Sequence, residues 1–90
     1  MSDEPLKPEE LHKAMFVNLV MMLATSAMQA MGRMPDQRGG KASVNLELAR
    51  HSIDMLDMIE VKTRNNLDPE ELRLVKETLS AMQLAFVEAT

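Results

Sequence analysis

Residues 14–32, AMFVNLVMMLATSAMQAMG, run nineteen positions without a charged side chain, and the reading of this stretch decides the fold. On a helix its larger polar side chains, Asn18, Thr25 and Gln29, fall at i, i+7 and i+11 and form one narrow strip with Ser26 at its edge. Every other position is Met, Leu, Val, Phe, Ala or the closing Gly32. A surface helix needs an apolar stripe only roughly 100° wide to face its own core. This helix must be covered on two or more sides, so the sequence asks for partners before it says anything about chemistry.

The remaining elements follow from local signals around that stretch. Leu6-Lys7-Pro8-Glu9-Glu10-Leu11 places Pro at a first helical position and acids in the first turn. It predicts a helix over about 8–31, stopped by Gly32, after a flexible N-terminus at 1–7. Residues 33–42 combine Pro35 with Gly39-Gly40 and read as a loop. Ser43 is the expected cap of a second helix over 43–64. Its apolar face is Leu48, Ser52, Met55 and Ile59, flanked by Ala49, Ile53 and Leu56, with Glu47, Arg50, Asp54, Asp57 and Arg64 opposite. Asn65-Asn66 ends it, Asn being second only to Gly in the left-handed conformation. Asp68-Pro69-Glu70-Glu71 then supplies an N-cap, a first-turn Pro and a capping-box acid for a third helix over 69–88, stapled by Leu67 and Leu72. Leu72, Val75, Leu79, Met82 and Phe86 recur at 3-4-3-4 spacing as its seam, and Leu84 points away from it.

Three helices and no strand signal predict a single all-α domain over 8–90. The short second connection predicts an antiparallel hairpin of the last two helices, with the first helix freer to pack elsewhere. A six-helix twofold dimer is the expected closed solution. Its contact face on the first helix is Phe16, Val20, Leu23, Ala27 and Met31, while Met15, Leu19, Ala24 and Met28 flank it and face other partners.

The segments FVNLVMMLATSA (16–27), Gly32 with Pro35-Asp36, Val44-Asn45-Leu46 with Ala49, Ile53-Asp54-Met55-Leu56 and EVKTRNNL (60–67) resemble a small bacterial family, the domain of unknown function numbered 1844. The likeness runs from about Phe16 to Val87, and Asn65 stands where the family pattern favours Gly. It implies a bacterial, cytoplasmic protein and supplies no activity, ligand or catalytic residue.

Composition narrows the function classes. With 90 residues and no Cys, the chain has no disulfide, no thiolate metal site and no cysteine nucleophile. A net charge of −4 argues against non-specific nucleic-acid binding. Asn18, Thr25, Ser26 and Gln29 interrupt the uncharged run, which argues against a bilayer-spanning helix.

The specific constellations resolve toward bland roles. Met21, Met22, Met28, Met31 and Met34 could offer thioether sulfur to Cu(I), but ten Met at core-like spacing read first as packing residues. Glu9 with His12, and Glu47 with His51 and Asp54, have spacings that a metal site could use, yet lie among charges expected in solvent. Glu60 and Arg64 extend that same exposed ladder. Gly39-Gly40-Lys41 lacks the leading Gly of a phosphate loop and has Ala42 where Ser or Thr is required. Ser26 and Ser52 sit mid-helix, where a hydroxyl can bond the preceding turn. Asn18 either fixes register in a packed seam or meets water. The reading is a non-enzymatic, self-associating interaction module without cofactor. A homodimer or another protein's helix is the expected partner, and a copper or ligand carrier or a peripheral membrane protein the alternative.

Overall fold

The computed structural model describes residues 5–34 and 44–90, and these form three helices: α1 (Pro8–Ala30), α2 (Leu46–Lys62) and α3 (Pro69–Ala89). At about 1.5 Å per residue they are roughly 34, 26 and 32 Å long. Of the loop expected over 33–42, residues 35–42 lie outside the described residues, as does the Ser43 cap. Asn45 is the cap in place: its side chain accepts the Leu48 N–H at 3.1 Å, and α2 begins at Leu46.

The other helix ends follow their sequence signals closely. Asp68 accepts the Glu71 N–H at 2.8 Å while the Glu71 carboxylate accepts the Asp68 N–H at 2.9 Å, a closed capping box. At the end of α1, the Gly32 N–H reaches the Gln29 carbonyl and the Arg33 N–H reaches that of Met28. This is the paired reverse bonding of a Schellman cap, with Gly32 at φ 77°. Asn65 takes the left-handed position after α2 at φ 70°. The Asn45 N–H donates to the Ala30 carbonyl at 2.6 Å, so the start of α2 is tied to the end of α1.

Cross-links at both ends set the direction of each helix. Near the start of α1, Lys13 Nζ lies 3.1 Å from Asp68 and 3.2 Å from Glu70 at the start of α3. Just past the end of α1, Arg33 lies 3.3 Å from Glu88 at the end of α3. α1 and α3 therefore run parallel, with α2 antiparallel to both. All three pairs of helices are in contact. This corrects the expectation that α1 stands apart from a hairpin: it packs on both other helices within one chain.

The core has two unlike ends. Towards the end of α1, small side chains meet: Ala27, Ala30, Ala49 and Ala85 pack with Met31 and Ile53. Towards its start, Val20 and Leu23 pack with Leu56, Ile59 and Val75. Small residues let backbones approach, and the aliphatic end supplies most of the buried volume. Val20, Leu56 and Val75 are the largest side chains wholly removed from solvent.

Candidate functional site

The inward face of α1 uses the residues expected to hold a second copy. Val20, Leu23, Ala27 and Met31 are buried within one chain, and Phe16 packs against the same aliphatic cluster. The contact face predicted for the dimer is thus corrected: α2 and α3 already cover it. The outward side is the one that carries Asn18, Thr25 and Gln29, so the polar strip, more than the apolar periodicity, is the signal that marks which side faces inward.

No described residue covers the opposite side of α1. Leu11, Met15, Leu19, Met21 and Met22 are between 42% and 59% exposed, although a water-facing helix surface would ordinarily carry charges there. At 100° per residue, Leu11, Met15, Asn18 and Met22 make one stripe with Leu19 on its flank, facing away from Val20 and Ala27. Apolar side chains on both sides are why the hydrophobicity of α1 points nowhere in particular.

The stripe has two halves of different composition. Its N-terminal half presents the apolar side chains Leu11, Met15 and Leu19. The C-terminal half holds a shallow groove of about 320 Å³ lined by Asn18, Met21, Met22, Thr25, Ser26 and Gln29. Within it the Asn18 Nδ2 donates to the Met22 Sδ at 3.5 Å, a weak contact on an exposed surface. Asn18 therefore lies outside the intramolecular seam.

The other sequence candidates fall in separate places. Met31 is buried and Met28 packs against the alanine-rich core, whereas Met34 is exposed beyond the helix end and Met21 and Met22 lie on the outward side. The run at i, i+3 and i+6 does not share one exposed face. Glu9 and His12 are exposed, as are Glu47, His51 and Asp54. Among the described residues no three His, Asp or Glu side chains gather as a metal site would require. Gly39, Gly40 and Lys41 lie outside the described residues. α1 is long and apolar enough to cross a membrane by length and composition alone.

Two polar features depart from the sequence reading. Ser52 donates to the Ser26 hydroxyl across the α1–α2 interface at 3.1 Å, so the two serines satisfy each other and not their own turns. Glu60 is buried and not part of an exposed ladder. Its carboxylate accepts two bonds from Arg64, at 2.9 and 3.2 Å. The Arg64 guanidinium holds the Glu60 carboxyl below its usual range. The i, i+4 Glu–Arg spacing was the signal available, but nothing in the pattern marked this pair as the one turned inward. At the other end of the bundle, the Glu71 N–H and then Lys13 hold the Asp68 carboxyl down, and Asp68 and Glu70 raise the Lys13 ammonium.

These observations define a small all-α, three-helix protein with a capped, polar-satisfied core and one uncovered apolar helix face. The family model for the Domain of unknown function (DUF1844) matches residues 13–88, and the chain belongs to that family. No curated protein and no solved structure matches it.

Proposed function

We propose that this protein is a non-enzymatic interaction module that self-associates through the outward face of α1. The observation that carries the reading is the double-sided helix: Leu11, Met15, Leu19, Met21 and Met22 stay open after the core is complete. Contiguous exposed apolar surface of this kind marks an interaction site in soluble proteins. Methionine suits such a surface, since its flexible thioether adapts to a partner's contour. A cytoplasmic setting fits a chain without Cys.

The test is solution mass by light scattering over a range of concentrations. A species of twice the 10.1 kDa protomer mass is expected for the wild type. Met22→Glu is expected to return it to the protomer mass with its helical circular dichroism kept. Leu84→Glu, on an exposed position of α3, is expected to leave the dimer intact. A wild-type protein that stays monomeric at every concentration contradicts the proposal.

A further inference from the structure

We infer that two copies pair antiparallel along α1, with Leu11 and Met15 of each copy seated in the Asn18–Gln29 groove of the other. This rests on the self-association proposed above and adds the orientation and register of the contact.

Complementarity between the two halves carries the argument. On one stripe, exposed apolar side chains occupy residues 11–19 and a shallow groove, with Met21 and Met22 beside Asn18, Thr25, Ser26 and Gln29, occupies residues 18–29. A twofold interface is self-complementary, so residue i meets j whenever j meets i. The apolar half of each copy then meets the groove of the other only if the helices run in opposite directions about an axis near the level of residue 20. In that register Leu11 faces Gln29 of the second copy, Met15 faces Thr25, and Asn18 faces Met22.

Area and charge agree with the same arrangement. About half of each of the five open side chains remains to be covered, and with Asn18, Thr25 and Gln29 they offer on the order of 500–800 Å² per copy, near a standard interface. The stripe carries no charge between Leu11 and Gln29 of its outward side, so nothing in it calls for an acidic or basic partner. Parallel pairing would set the acidic first turns, Glu9 and Glu10, side by side with aligned helix dipoles. Antiparallel pairing sends those turns to opposite ends of the assembly. Thr25, Ser26 and Gln29 supply polar groups at the groove rim that the entering apolar tips leave hydrated.

The absence of native Cys makes disulfide trapping a clean test. Leu11→Cys and Gln29→Cys proteins, mixed and oxidised with diamide, are expected to form a covalent dimer that contains one of each. Leu11→Cys alone is expected to form none, because antiparallel pairing separates the two sites by about 27 Å along the helix. Met15→Cys mixed with Thr25→Cys provides a second pair with the same expectation. Self-trapping of Leu11→Cys without a mixed product overturns the orientation, as does a dimer by light scattering that neither pair traps. A monomer throughout instead overturns self-association itself, including the case in which α1 binds lipid vesicles or a different protein.

Discussion

The inward and outward faces of α1 are built from nearly the same side chains, yet they meet different fates. Inward, Val20, Leu23, Ala27 and Met31 close against α2 and α3. Outward, no described residue covers Leu11, Met15 and Met22, which stay about half exposed. The difference lies in the neighbours available. Among the described residues the two other helices both pack on one side of α1, and the other side is the one proposed to meet a second copy. Fold stability therefore resides on one face of α1, and the association proposed above uses the other.

Breaking the inward face should have the largest effect. Leu56→Ala, which empties volume beside Val20, is expected to cost about 2–5 kcal/mol in chemical denaturation. Met15→Ala, on the outward face, should change the stability of the isolated protomer by no more than about 0.5 kcal/mol. Equal losses for the two would erase the distinction between faces. Next in size is Gly32→Ala, at the residue that terminates both faces. Its φ of 77°, and the Val44 Cγ2 atom that an added methyl would meet at 3.0 Å, predict a loss of about 1–2 kcal/mol.

The serine pair sharpens the boundary between α1 and α2. Ser26→Ala or Ser52→Ala alone leaves one hydroxyl without its partner and should cost about 1 kcal/mol, while the double variant should recover part of that loss. A double-mutant cycle with no coupling would show that the 3.1 Å contact contributes nothing.

The smallest effect concerns acid. Glu60 and Asp68 are held below their ordinary values of 4.5 and 3.8 by Arg64 and by the Glu71 N–H respectively. A carboxylate depressed in the folded state stabilises above its unfolded pKa, and that contribution disappears as pH falls through the folded pKa. The Tm is therefore expected to drop as pH is lowered below about 4.5, and to drop less steeply in Glu60→Gln. An unchanged acid slope in that variant would remove Glu60 from the account.

Much of this architecture was legible from residues alone. Pro8, Gly32, Asn65 and the Asp68–Glu71 box announced helix ends through chemistry that acts within a few positions. Helix faces are decided at longer range, and there the pattern underdetermined the outcome. Periodicity marks α1 as apolar on two sides and the strip of Asn18, Thr25 and Gln29 marks the outer one, but only the placement of α2 and α3 shows that one chain suffices to cover Val20 and its neighbours. On α2 the buried side turned towards Ala49, Ile53, Leu56 and Glu60, leaving Leu48 exposed, because that helix must meet α1 and α3 together. The burial of Glu60 is not legible in the sequence for a related reason: a charge reads as solvated until its partner and its neighbours are both placed.

The methionines provide the most direct test, since they mark both faces of α1. Relaxation of their methyl protons by a soluble paramagnetic probe reports solvent access one residue at a time. At concentrations where the protein is assembled, Met15 and Met22 are predicted to be shielded like buried Met31, while Met58 on α2 relaxes rapidly. Met15 and Met22 relaxing as fast as Met58 would mean that the outward face of α1 is bare in solution.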